Sequence, residues 1–176
     1  LIDLFGADHH GYIARLKSSQ KDLGHNPDAL HVSLVQMVRL FKNGEEFKMS
    51  KRTGNAISMK ELVEEVGVDA VRYFFVSRSG TSHLDFDIDL AKTLGSENPV
   101  YYAQYTHARL CGIMNNAKDF YPIDYSSSLL VSESEKNLLI LLKGYSDVIK
   151  SATVENEPYK VTNYIHTLAQ SINEFY

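Results

Sequence analysis

The sequence predicts an α/β unit that gives way, a little past its middle, to an all-α bundle. Two changes of texture carry this. Up to about residue 60 strand-like segments alternate with helical ones and are punctuated by Gly6, Gly24 and Asn43-Gly44, whereas after Asn98-Pro99 only helical spacing remains. With 176 residues, 44% of them hydrophobic, the chain can bury one good core or two small ones.

Leu1 to Phe5 reads as a strand that Gly6 breaks, and Asp8 opens a segment with Tyr12, Ile13 and Leu16 at helical spacing that ends at Leu23-Gly24. Leu30 to Phe41 alternates Val32, Leu34, Gln36, Val38 and Leu40 with other residues, which predicts one strand, and Asn43-Gly44 is a strong hairpin signal. Ser58-Met59-Lys60-Glu61 is a capping box with Ile57 and Leu62 placed as its hydrophobic staple, and Gly67 closes that short helix. Asp69 is expected to cap another helix that runs through Phe74 and Phe75 to about Ser79. Asn98 followed by Pro99 starts a long helix to about Ala117. Ser126 to Ser128 is a polar linker, Ser132 or Ser134 can cap a helix to about Ala152, and Glu157-Pro158 starts a last one. That helix is still amphipathic at Phe175-Tyr176, so the expected bundle is a truncated one. The strand-like opening without an initiating Met leads to the expectation that the chain begins inside a larger protein.

The net charge is −4, unevenly spread: residues 1–60 carry nine Lys and Arg against six Asp and Glu, residues 61–96 three against seven, and residues 97–176 six against nine. A local basic patch on an acidic chain suffices for a polyanionic partner. Cys111 is the only cysteine, which excludes an internal disulfide and a cysteine-based zinc cluster and fits a reducing cytoplasm. No apolar run reaches the roughly 18 residues of a membrane span, and the start lacks the basic flank of a signal peptide, so no membrane partner is expected.

Chemistry concentrates in Lys48-Met49-Ser50-Lys51-Arg52-Thr53-Gly54-Asn55. Two ammonium groups three residues apart can both reach a triphosphate, Ser50 can donate to a phosphoryl oxygen, and Gly54 lets backbone amides approach closely. Such a run neutralises the charge that builds on departing pyrophosphate. A solvated basic turn is the bland alternative. The run resembles the KMSKS signature loop of class I aminoacyl-tRNA synthetases, and in its extended form, KMSKRTGN, that of the arginyl-tRNA synthetases. Phe5-Gly6-Ala7-Asp8-His9-His10-Gly11-Tyr12-Ile13 is similar to the family's GADHHGY segment. Val35 to Val38 is similar to the strand before the loop, and Asp85 to Ala91 and Asn98 to Tyr105 resemble the approach to its anticodon-binding helices.

The resemblance implies the C-terminal part of a class I Rossmann catalytic domain over residues 1–47, the signature loop with a helical connector to the tRNA stem over 48–96, and an incomplete anticodon-binding helical bundle over 97–176. It implies an arginine–tRNA ligase using ATP with Mg²⁺, L-arginine and tRNA(Arg), in the cytoplasm. Lys48, Ser50 and Lys51 are the expected catalytic residues, with no protein-held metal. The His-Ile-Gly-His signature of the class is absent from these residues, so the expectation is that this piece alone does not activate arginine. Alternatives are a non-catalytic tRNA-binding paralogue, another class I synthetase, or a nucleotide-binding domain unrelated to tRNA.

Gly6, Asp8, His9, Gln36 and Met49 are the expected ATP-binding residues. Gly6 permits close backbone approach where a strand hands over to a helix, and Asp8 can accept both ribose hydroxyl protons or merely cap its helix. His9 and His10 point about 100° apart on a helix and cannot easily share a metal; one of them can hydrogen-bond the nucleotide. Gln36 either lines the pocket or faces solvent from mid-strand, and Met49 packs the loop against the domain. Tyr101, Tyr105 and Arg109 are the expected tRNA contacts, because aromatic and basic groups on one helix can stack on bases and pair with phosphates. Tyr101, Tyr105 and Ala108 also fit an ordinary core stripe. Asp69-Ala70-Val71-Arg72 echoes the letters DALR, for which helix capping and an internal ion pair suffice.

Overall fold

The computed structural model describes residues 1–47, 57–117 and 126–176. Five strands and seven α-helices are present among them. Strand β1 (Ile2–Gly6) pairs in parallel with β2 (His31–Val35), and helix α1 (Tyr12–Asp22) crosses between them. A second sheet has the order β4-β3-β5, with β3 (Val38–Lys42) antiparallel to β4 (Glu45–Phe47) and parallel to β5 (Leu84–Asp87).

The alternating segment is therefore two strands in two sheets. The chain leaves the first sheet at Gln36-Met37, where the Gln36 amide donates to the Gly80 carbonyl at 2.7 Å instead of continuing a ladder. Asn43 and Gly44 both take positive φ, 55° and 76°, which is the twist a two-residue hairpin requires. Strand β5 had no counterpart in the sequence reading. Its four residues alternate buried Leu84 and Phe86 with Asp85 and Asp87, a pattern too short to stand out alone.

Helix α2 (Met59–Val66) starts with the expected capping box: the Glu61 amide donates to Ser58 Oγ at 3.2 Å and the Ser58 amide to Glu61 at 2.7 Å. Gly67, at φ 87°, ends it. Helix α3 (Val68–Phe75) departs from expectation at both ends. Its N-cap is Gly67 with no side-chain cap, Asp69 instead accepts from Gln104 at 3.1 Å, and the helix stops at Phe75. Asp8 likewise caps no helix, because a single 3₁₀ turn (Ala7–His9) intervenes and α1 begins after Gly11.

Short helix α4 (Ile88–Lys92) follows β5, capped by Asp87. Asn98 then joins the two halves. It is 4% exposed, its carbonyl oxygen accepts the Val100 amide at 3.0 Å to cap α5 (Pro99–Asn116), and its amide donates to Ala91 and Thr93 carbonyls at 3.1 and 2.9 Å. Helix α6 (Glu133–Glu155) is capped by Ser132 with Glu135 and ends on left-handed Asn156; α7 (Tyr159–Phe175) packs against both α6 and α5. Tyr73 on α3 donates to the Thr162 carbonyl at 3.1 Å, so α7 also grips the α/β unit. No helix among the described residues is long and apolar enough to cross a membrane.

The core lies under the second sheet. Phe86 and Ile88 are fully buried and Leu62 nearly so, with Leu40, Val71, Phe74, Ala91 and Val100 around them. The Phe86 ring sits 5.3 Å from that of Phe74 and 5.7 Å from that of Phe75. Phe86→Ala is expected to lower the unfolding free energy by about 3–5 kcal/mol, read from urea denaturation; a loss below about 1 kcal/mol would show that the ring is not the centre of this core.

Candidate functional site

The register of the first sheet gathers four of the expected residues. Gly6 is opposite Val35, so the turn carrying Asp8 and His9 and the break carrying Gln36 leave the carboxyl edge of two adjacent parallel strands together. That edge is where open α/β sheets hold ligands. The Asp8 carboxylate folds back over Gly6, with Oδ1 2.6 Å from where a Cβ would lie, so a side chain at this position would push the carboxylate aside. The Asp8 and His9 side chains are exposed, 80% and 58%, with Asp8 Oδ2 3.6 Å from His9 Nε2. Freed from capping, the Asp8 carboxylate is open to a hydroxyl ligand. The His9 ring is held edge-on between Phe5 and Tyr12, at centroid distances of 6.5 and 5.8 Å. His10 is exposed, and Gln36 is half-buried outside any strand.

Lys48, Met49, Ser50 and Lys51, with Arg52 and Gly54, lie outside the described residues. The flanks of that run are described, and both are anchored. Phe47 closes β4 and Ile57 precedes the α2 cap, and both pack on the Phe86 core. Polar contacts tie the hairpin down as well. Glu65 Oε1 accepts Lys42 Nζ from the end of β3 at 2.7 Å and Lys92 Nζ from the end of α4 at 2.6 Å, while the Asn43 amide donates to Asp89. Glu65 is partly buried, and the hydrogen bonds from Lys42 and then Lys92 hold its carboxyl below the ordinary glutamate range. These contacts join residues 23 and 27 positions apart, which no local pattern in the sequence signals.

On α5 the core side is Val100 and Thr106. Tyr101 is half-buried, whereas Tyr105 and Ala108 are exposed, so the alternative reading of Tyr101, Tyr105 and Ala108 as a core stripe does not hold. The two tyrosine rings instead stack on each other, centroids 6.0 Å apart and 20° between planes. Arg109 donates to Asn173 Oδ1 at 3.2 Å and lies 4.1 Å over the Tyr176 ring, bracing α5 against the end of α7. Its outer surface stays exposed. Among the described residues no three His, Cys, Asp or Glu side chains converge as a metal site.

Residues 6–105 match the family model described as tRNA synthetases class I (M), and residues 103–176 match the DALR anticodon binding domain. The Asp69-Ala70-Val71-Arg72 echo lies before the latter. Over the whole chain the sequence is 49% identical to arginine–tRNA ligase 1 of Halalkalibacterium halodurans and 50% identical to the arginine–tRNA ligase of Geobacillus kaustophilus. The chain spans 32% of the length of each. A Campylobacter jejuni crystal structure assigned as an arginyl-tRNA synthetase superposes with a TM-score of 0.87 at 37% identity, covering 99% of this chain and 38% of that one. The Thermus thermophilus arginyl-tRNA synthetase, at 19% identity, shares the fold with a TM-score of 0.77 over 99% of this chain and 32% of its own.

The Glu65 clamp has a pH signature. Its carboxyl is held down in the folded state, so its contribution is fully present above the ordinary glutamate value of about 4.3 and is lost as pH falls through the lowered folded value. Urea midpoints of the wild type and Glu65→Gln should differ at neutral pH and converge in acid. A difference that stays constant with pH would contradict the clamp.

Proposed function

The chain belongs to the class I aminoacyl-tRNA synthetases, among the arginyl-tRNA synthetases, and from that membership we propose that the protein carrying it is an arginine–tRNA ligase. The observation that carries the reading is the identity of 49–50% over the whole chain with arginine–tRNA ligases. In the proposed reaction a carboxylate oxygen of L-arginine attacks the α-phosphorus of ATP. The bond from that phosphorus to the bridging oxygen breaks, pyrophosphate leaves, and arginyl-adenylate forms. A hydroxyl of the terminal ribose of tRNA(Arg) then attacks the activated carbonyl, and AMP departs with its electron pair. The reaction belongs to cytoplasmic protein synthesis.

Gly6, Asp8, His9 and Gln36 hold the adenosine end. Asp8 accepts from the ribose hydroxyls, Gly6 gives the room that a Cβ would fill, and His9 donates to the nucleotide from its aromatic bracket. Lys51, helped by Lys48 and Ser50, donates to the phosphoryl oxygens as charge moves to the leaving pyrophosphate, and Met49 seats the loop. Mg²⁺ arrives as the ATP complex, held by phosphate oxygens and water; no residue here is assigned to it. Residues 1–47 form the last part of the catalytic domain, 48–96 the signature loop and stem-contact connector, and 97–176 the anticodon-binding helices. There the stacked Tyr101 and Tyr105 offer a face to an unpaired base, and Arg109 a charge to a phosphate.

In the full-length protein, Lys51→Ala should slow adenylate formation by about 100- to 1,000-fold, the usual effect of deleting one donor to a charged transition state, with arginine affinity little changed. Single-turnover kinetics beside equilibrium binding of arginine separate the two. Equal losses in rate and arginine affinity would remove Lys51 from the chemistry.

A further inference from the structure

A polar cleft of about 470 Å³ lies between the loop that follows α3 and the first turns of α7, lined by Ser77, Arg78, Ser79, Ser82, Tyr159 and Asn163. None of its lining residues is among those assigned above to ATP or to the tyrosine pair on α5, although its loop reaches the carboxyl edge of the first sheet through Gly80. Both of its walls are fixed. The loop is pressed onto β2 at Gly80, whose carbonyl accepts the Gln36 amide and where a Cβ would meet the Leu34 carbonyl at 3.0 Å. The opposite wall is tied back by Thr162, which donates to the Val76 carbonyl at 3.4 Å, and by Glu157, which accepts the Ser79 hydroxyl at 3.0 Å.

The hydrogen-bonding inventory of the cleft is one-sided. Ser77 spends its hydroxyl on the Phe74 carbonyl and Ser79 on Glu157. The side chains of Arg78, Ser82, Tyr159 and Asn163 have no hydrogen-bond or ion-pair partner among the described residues. Tyr159 and Asn163 are one turn apart and share a face of α7. One guanidinium, two hydroxyls and an amide thus line the cleft, and no carboxylate is among its lining residues, Glu157 being bonded to Ser79. This is the donor set that proteins use on the sugar–phosphate backbone: Arg for a phosphate oxygen, with Ser, Tyr and Asn for the remaining phosphate and ribose oxygens.

The geometry points to this cleft as a subsite for one phosphodiester of the tRNA backbone, at the seam between the α/β unit and the helical bundle, with Arg78 as the charged contact. The inference rests on the tRNA reading above. A backbone contact carries no sequence information; it sets the register of the bound RNA and contributes one phosphate to the salt dependence of binding.

The test is the affinity of the full-length protein for tRNA(Arg) and for a non-cognate tRNA across a salt series. Arg78→Ala should weaken both by the same factor and reduce the slope of log K against log salt by about 0.7–0.9, the value of one phosphate contact. Arg78→Lys should retain most of the slope. A wild-type slope and affinity in Arg78→Ala, with tRNA still bound, would overturn the subsite and leave the tRNA reading intact. Absence of tRNA binding by the wild-type protein would overturn both.

Discussion

The hairpin, helices α2 to α4 and the first turn of α5 hang on the burial of Phe86. Its ring packs against Phe74 and Phe75 at the end of α3, and its strand pairs with β3 at Leu40, so one residue holds α3 to the sheet that carries the hairpin. Fully burying an aromatic side chain stabilises by about 1.5–3 kcal/mol before packing is counted. Around it, Leu40 fixes the hairpin, Leu62 fixes α2, Ile88 and Ala91 fix α4, and Val100 fixes the first turn of α5. The same cluster therefore fixes Phe47, immediately before the signature run, and Ile57, two residues after it.

The run to which we assign the chemistry has anchored residues on either side, as functional segments on rigid scaffolds commonly have, and these flanks are held twice, by apolar packing and by Glu65 and Asp89 on the hairpin. Asn98 extends the frame to the helical bundle with one buried amide that caps α5 and satisfies two carbonyls of the preceding turn. A buried amide earns its place only if its groups are paired, and here both the carbonyl and the amide are. Movement of the bundle against the α/β unit must therefore break polar contacts as well as apolar ones.

Local chemistry was legible in the sequence wherever a few adjacent residues settle the matter. Asn43-Gly44 gave the hairpin, Ser58 with Glu61 gave a capping box, Asn98-Pro99 gave the start of α5, and Ser132 was one of two candidate caps for α6. What failed to show was decided by distant partners. The alternation from Leu30 to Phe41 is real, but the ladder switches sheets at Gln36 because β1 ends at Gly6 and β5 waits on the other side. Asp69 looked like a cap and is a partner of Gln104, 35 positions away. The carboxyl edge of the first sheet was half legible: Gly6, Asp8 and His9 stood out, yet only the register of the parallel strands puts Gln36 beside them. Arg78 and its neighbours had no motif at all, since the cleft exists only once α7 has packed back onto the loop.

The most direct measurement is amino-acid-dependent exchange of pyrophosphate into ATP by the full-length protein, with tRNA present, across all the protein amino acids. The account predicts exchange with arginine and with no other. Exchange with a different amino acid, or none at all while tRNA(Arg) is still bound, would contradict it, the latter in favour of a tRNA-binding protein that has kept the fold without the reaction.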